Sequence, residues 1–280
     1  MAEYTLSKTD ILDFARHLRA EERAGGTIEK YLRDVNAFEV WLAGRPVTKE
    51  LAALWKARLL RTRAPGTVNA MLAAVNALFR FLGWEECRIK TLRLQRQMFR
   101  ASAKELTREE YSRLLNAAQA LGCNRLFLLL ETICATGIRV SEVRYITVEA
   151  LRAGRATVSL KGKSRSILIP GKLCRKLEKY AEKQKIVSGE VFLTRNGTGL
   201  SRKQIWAEMK ALREKADVAP TKVFPHNLRH LFAKAFYKAC KDVARLADVL
   251  GHSSIDTTRI YLLSTGAEHA KALERLGLIS

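Results

Sequence analysis

Four side chains between Pro225 and Tyr261 are of the types that handle a phosphodiester: His226, Arg229, His252 and Tyr261. A guanidinium forks onto phosphate oxygens, an imidazole donates or accepts a proton near neutral pH, and a phenol can act as a nucleophile. His226 and Arg229 stand three apart after Pro225, a favoured first helical residue, and so share one face of a helix start. His252 follows Gly251, which reads as a C-terminal cap, and the pair Ser253 and Ser254 can cap a further helix bearing Tyr261. Taken singly, each of these is more often a capping or packing residue than a catalyst. Their joint spacing reverses that balance.

Two upstream stretches extend the set. In ATGIRVSE, Gly137 breaks a very apolar helix and Arg139 falls in the first turn of the next. Glu142 follows three residues on, either as the partner of a surface arginine or as the carboxylate that holds a phosphate-clamping one. ATVSLKGKSRSILIP reads as a short antiparallel hairpin, with Val158 and Leu160 alternating on one strand and Ile167 and Ile169 on the other. Gly162 with Lys163 and Ser164 makes the turn, which holds Lys161 at the hairpin tip. Lys163 flanks the same glycine; Lys161 is preferred for its place at the strand end.

The elements that must carry these residues are mostly helical. From Leu228 to Leu250 the residues Leu231, Phe232, Ala235, Phe236, Ala239, Val243, Leu246, Ala247 and Leu250 recur at helical spacing, a core-facing stripe of one amphipathic helix that Gly251 ends. Capping boxes at Thr107–Glu110 and Ser201–Gln204 open two more, the second carrying Ile205, Trp206, Met209 and Leu212. The apolar run Leu126–Cys134 reads as a central helix, Gly171–Val187 as another, and Val191–Leu193 as a short strand. Residues 1–87 predict four or five helices. Ser7 caps the first, whose stripe is Ile11, Phe14, Ala15 and Leu18, and Gly25–Thr27 breaks it. Thr48 opens the third, and Pro65–Thr67 precedes the fourth. Residues 88–104 hold six Lys/Arg and no acid, the composition of an extended basic linker. The expected organisation is a helical domain at 1–87, this linker, and a second domain at 105–280 with an amphipathic tail at 262–280. The fold class is mainly α with a small antiparallel hairpin.

Lys and Arg number 50 against 28 acidic residues, a formal charge of +22, which points to a polyanionic partner, nucleic acid first. The cations run along the whole chain, as a clamp requires, rather than forming one tail. Five cysteines without a C-x-x-C pair indicate neither a disulfide framework nor a zinc site, and Cys134 and Cys240 read as small buried hydrophobes. No signal-peptide core or membrane-length apolar run is present, so a cytosolic setting is expected.

Arg139, Lys161, His226 with Arg229, His252 and Tyr261, in that order and with nine residues from His252 to Tyr261, resemble the tyrosine recombinase (phage integrase) family. The likeness spans roughly residues 100–262. It implies a two-domain DNA clamp, with residues 1–87 as the core-binding domain and the rest as a mixed α+β catalytic domain. It also implies double-stranded DNA as partner, a synaptic tetramer joined through the tail, accessory DNA-bending proteins, and a nucleoid location in a prokaryote. Element integration or excision, inversion and chromosome resolution all use such an enzyme.

The chemistry follows from the residues. A phenol with pKa of roughly 10 is a poor nucleophile at neutral pH and needs a site that favours its oxyanion. Arg139 and Arg229 would clamp the non-bridging oxygens as charge develops, the work a metal does in nucleases. Tyr261 would form a phosphotyrosyl link, 3′-linked by the resemblance, with Lys161 as general acid for the 5′ oxygen. His226 and His252 would hydrogen-bond the phosphate, and His226 could take the tyrosine proton. A covalent intermediate conserves the bond energy, so no nucleotide cofactor or metal is expected, and no G-x-x-x-x-G-K-[ST] loop is present. A type IB topoisomerase-like enzyme would share the cleavage step, and a non-catalytic DNA-binding protein would share only the scaffold. The late tyrosine with its tail argues against the first, and the complete polar set against the second.

Overall fold

The hydroxyl of Ser7 accepts the Asp10 N–H at 3.2 Å while the Asp10 carboxylate accepts the Ser7 N–H at 2.8 Å, and this capping box starts α1 (Lys8–Ala20). The computed structural model that shows this describes residues 3–94, 104–160, 163–252, 254–259 and 261, apart from the side chains of Leu160 and Lys163. The chain divides into two compact units, Met1–Arg96 and Gln97–Ser280.

In the first unit α1 buries Ile11, Phe14, Ala15 and Leu18, the expected stripe. The break before α2 (Gly25–Leu42) comes earlier than Gly25–Thr27: Glu22 takes a positive φ, and both glycines join the first turn of the new helix. Thr48 caps α3 (Lys49–Thr62), and Pro65 is the first residue of α4 (Pro65–Phe81). Phe38 is fully buried, edge-on to Trp55 at 4.9 Å and to Phe79 at 5.8 Å. The start of the basic stretch lies along α4. The Asn76 and Asn69 side chains each exchange hydrogen bonds with the backbone of Ile89 and Leu92, and Ile89 is buried. Residues 95–103 of that stretch lie outside the described residues.

In the second unit the Thr107–Glu110 capping box opens α5 (Arg108–Ala120). The central α6 (Asn124–Thr136) buries Leu126, Leu129, Leu130 and Ile133. It ends at Gly137, whose φ of +65° and close approach to the Phe232 ring leave no space for a Cβ. Residues Val140–Tyr145 form a 3-10 turn, followed by α7 (Val148–Arg152). Strands β1 (Arg155–Leu160) and β2 (Lys163–Leu168) pair antiparallel, Arg155 opposite Leu168 and Leu160 opposite Lys163. Lys163 and Ser164 therefore belong to β2 and not to the turn. This register buries Ala156, Val158 and Ile167 together and leaves a two-residue connection, the length that best suits strand twist. Lys161 and Gly162, which make it, lie outside the described residues.

Helix α8 (Gly171–Lys183) stops before Val187, with Lys185 at positive φ. The strand expected at Val191–Leu193 is reduced to isolated bridges, Thr147 with Glu190 and Leu193 with Gly199, because each end finds a different partner. Helix α9 (Arg202–Leu212) buries Ile205, Met209 and Leu212 but exposes Trp206. The stripe from Leu228 to Leu250 does not run through. Lys241 adopts a left-handed conformation that ends α10 (Pro225–Cys240), and Asp242 caps α11 (Val243–Leu250) by accepting the Arg245 N–H. Helix α10 buries the face of Leu228, Arg229 and Ala233 instead, and Ala235 and Ala239 are exposed. Cys240 is exposed as well, against the expectation of a buried hydrophobe, while Cys134 is half-buried against the core. Ser254 accepts the Asp256 N–H to start α12 (Ile255–Arg259), and Tyr261 lies just beyond that helix instead of on it. The tail, residues 262–280, lies outside the described residues.

Candidate active site

The C-terminus of α11 gathers three arginines from distant parts of the second unit. Successive carbonyls there, left without intrahelical partners and carrying the negative end of the helix dipole, are natural receptors for cations. Val249 accepts Arg165 Nη1 at 2.9 Å, Leu250 accepts Arg229 Nη2 at 2.8 Å, and Gly251 accepts Arg139 Nη2 at a long 3.4 Å. Gly251 sits at φ +63°, and a Cβ there would fall inside the Arg165 side chain. Its glycine is thus required twice, by the cap and by the close approach.

Arg229 is 2% exposed, and each of its three side-chain nitrogens has a partner. Nη1 donates to the Gly137 carbonyl, Nη2 also faces His252 Nε2 at 2.9 Å, and Nε points at the Tyr261 hydroxyl at 3.4 Å. Burial, and the nearby charge of Arg139, lower its pKa against the opposing hydrogen bond to Tyr261. Arg139 is the accessible member, its side chain 41% exposed, and is held by Glu142 through Nη1 at 3.0 Å and through its own N–H at 2.7 Å. Glu142 is fully buried and also takes Arg165 Nη2 at 2.5 Å. Burial alone would raise its carboxyl, but the Arg139 N–H and the Arg165 charge outweigh that and hold it below the ordinary value. One ionised carboxylate therefore carries two guanidiniums.

His252 is half-buried, and its state follows from donor counting. Arginine has only donors, so Nε2 must accept from Arg229, which leaves the proton on Nδ1 to be donated to Thr258 Oγ1 at 2.8 Å. Burial, then the charges of Arg229, Arg139 and Arg165, push its pKa down to about 4, so the ring is neutral at pH 7. Both nitrogens are taken by protein partners. Tyr261 is 5% exposed, its ring stacked on His252 at 5.5 Å, 4.3 Å from His230 and 5.6 Å from His226. Arg139, His226, Arg229, His252 and Tyr261 are thus brought to one place; Lys161 lies outside the described residues.

Three neighbours went unread in the sequence. Arg165 had a signal, since strand alternation puts it on the face of the buried Ile167 and Ile169, where a cation calls for a partner. His230 follows Arg229 directly, and Thr258 precedes Tyr261 by three, but neither spacing is distinctive. Among the described residues no group of three or more His, Cys, Asp or Glu is placed to hold a metal ion, and no helix is long and apolar enough to cross a membrane.

The phage integrase family model matches residues 104–268, and the model of the phage integrase N-terminal SAM-like domain matches residues 11–86. The chain belongs to the phage integrase family: it is a tyrosine recombinase, an enzyme that transfers DNA strands. It is similar to tyrosine recombinase XerA of Pyrococcus furiosus, 29% identical over 100% of this chain and 98% of the relative. It is also similar to tyrosine recombinase XerD of Brucella suis, 31% identical over 90% of this chain and 91% of the relative. Among solved structures it resembles a lambda integrase dimer bound to a COC′ core site, with a TM-score of 0.74 and 17% identity over 92% of this chain and 77% of that one. Lambda integrase has also been solved as a tetramer bound to a Holliday junction, with a TM-score of 0.73 and 19% identity over 92% of this chain and 77% of that one.

Proposed function

We propose that this chain is a site-specific recombinase in which Tyr261 attacks the scissile phosphorus of double-stranded DNA. The P–O5′ bond breaks as the Tyr261 oxygen bonds to phosphorus, giving a 3′-phosphotyrosyl link and a 5′ hydroxyl. Lys161 supplies the proton to the leaving oxygen, and His226, beside the phenol ring, takes the tyrosine proton. A 5′ hydroxyl from a second duplex then reverses the step through a Holliday junction. The observation that carries this reading is the meeting of Tyr261 with Arg229 at 3.4 Å, one carbonyl away from the site of Arg139.

The two arginines divide the work by burial. Arg229, tied to protein carbonyls, fixes the phenol and supplies field; Arg139, oriented by Glu142 yet accessible, offers its fork to the non-bridging oxygens. His252 orients Arg229 from the far side, and a bond from His252 to phosphate would require the Arg229–His252 contact to open. The helical unit 1–87 and the basic stretch 88–104 would grip the backbone, with residues 105–280 as the catalytic domain. The charge of +22 supports DNA as partner, and the lambda integrase complexes support a dimer on one site and a tetramer at the junction. Such an enzyme would act in the cytoplasm, at the nucleoid of a prokaryote.

A nicked duplex that lets the cleaved end diffuse away tests the roles. Wild-type protein should accumulate a covalent protein–DNA adduct and Tyr261→Phe none, while binding persists. Full adduct formation by Arg139→Ala would overturn the clamp assignment.

A further inference from the structure

The hairpin is joined to the arginine cluster by one side chain that the reaction above leaves without a role. Arg165 projects from β2 and spans two groups at once: Nη2 reaches buried Glu142 at 2.5 Å and Nη1 reaches the Val249 carbonyl at 2.9 Å. Its side chain is only 17% exposed, and its Nε–H is buried without a partner. A guanidinium taken this far from water is retained only if its remaining bonds are good ones. Those bonds end on the carboxylate that holds Arg139 and on the helix end that holds Arg229 and leads into His252. On the other side, Arg165 pairs with Val158 two residues along from the Leu160–Lys163 pair, whose connection contains Lys161. At the rise of a strand that is roughly 7 Å from that pair.

We propose that Arg165 is a positioning residue that registers the hairpin turn against the arginine clamp, so that the proton donor for the leaving 5′ oxygen and the clamp on the phosphate are set by a single guanidinium. This rests on the reading of the turn as the source of the general acid. Gly251 is part of the device, since the space its missing Cβ leaves is filled by the Arg165 stem. The bland counterpart is that Arg165 merely neutralises Glu142. In that case losing it would harm the clamp or the fold, and proton delivery no more than any other step.

The leaving group separates the two. Replacing the bridging 5′ oxygen by sulfur gives a thiolate that departs without a proton, so cleavage no longer depends on the acid. Single-turnover adduct formation would be measured on oxygen and sulfur substrates for wild type, Arg165→Gln, Arg165→Lys, Lys161→Ala and Arg139→Ala, with melting temperature and DNA affinity as fold controls. Arg165→Gln should slow cleavage of the oxygen substrate roughly 100-fold, the scale of a 1 Å misplacement, and recover most but not all of that loss on sulfur, the remainder being the clamp that shares Glu142 with it. Arg165→Lys keeps the charge but cannot span both partners, so it should show the same recovery. Arg139→Ala should stay slow on both. Equal loss on oxygen and sulfur in the Arg165 variants, or no loss at all, would overturn the proposal. Failure of Lys161→Ala to recover on sulfur would instead strike the assignment of the acid, and absence of any wild-type adduct would strike the recombinase reading itself.

Discussion

The two units bury their polar groups in opposite ways. Among the described residues Met1–Arg96 buries one polar side chain, Asp34, paired with Lys30 at 2.5 Å and Arg33 at 3.7 Å. Gln97–Ser280 buries Thr132, Thr136, Glu142, Asn227, Arg229, His230 and Thr258. The two α6 threonines return their hydroxyls to carbonyls one turn back, which is local and cheap. Glu142, Arg229, His230 and Thr258 are different, because they surround Tyr261 or hold what does. Desolvating a charge costs several kcal/mol unless it is well bonded, so a protein gathers such groups only where something else demands them. The first unit is thus held by its apolar pattern, and the second accepts a stability cost at the place proposed for its chemistry.

That contrast can be broken by perturbing one unit at a time. The largest expected effect is on chemistry. Arg229→Ala should reduce adduct formation by roughly 10²–10³-fold, as loss of a donor to developing charge does, and should lower the melting temperature as well. In the first unit, Phe38→Ala should cost about 3–5 kcal/mol in a denaturant titration, the range for deleting a buried ring, yet leave adduct formation at saturating DNA unchanged. A matching fall in its single-turnover rate would mean that the units are not separable in this way. Gly251→Ala comes next: the left-handed backbone alone costs about 1–2 kcal/mol, and displacement of Arg165 should slow cleavage as Arg165→Lys does.

The smallest effect concerns His252 and is read by pH. Its folded pKa of about 4 lies below the ordinary 6.5, so the fold prefers the neutral ring. The unfolded chain binds the extra proton first, and the contribution of His252, complete above pH 6.5, is lost as pH falls from 6.5 towards 4. Melting temperature should decline through that window, and His252→Gln should flatten this part of the decline. A decline of unchanged depth in the variant would assign it to other groups.

Most helix boundaries could be read because they are local. Ser7, Thr107 and Ser201 each cap through a residue three positions on, and α1 buries the four residues its spacing names. The left-handed break at Lys241 was not readable, since no glycine or asparagine marks it. The place of Lys163 and Ser164 in β2 is not legible locally, because pairing register depends on which face of the hairpin the core receives, and that face belongs to other elements. Trp206 is exposed for the same kind of reason: beside Ile205, one helix cannot bury both on a narrow stripe.

From its residues alone, this chain could be assigned a cationic, mainly helical, two-part form and, by resemblance to a family, an ordered set of catalytic types ending in a phenol. The form is a property of composition and of short spacings, where neighbours in sequence are neighbours in space. Which carbonyl receives which arginine, that Glu142 serves two of them, and that His252 is neutral with its proton on Nδ1 were settled only in three dimensions. The bonds responsible join residues 84, 112 and 21 positions apart. Over such separations no local preference of the backbone points to a partner, and only the packing that brings α6, β2, α10 and α11 together selects it.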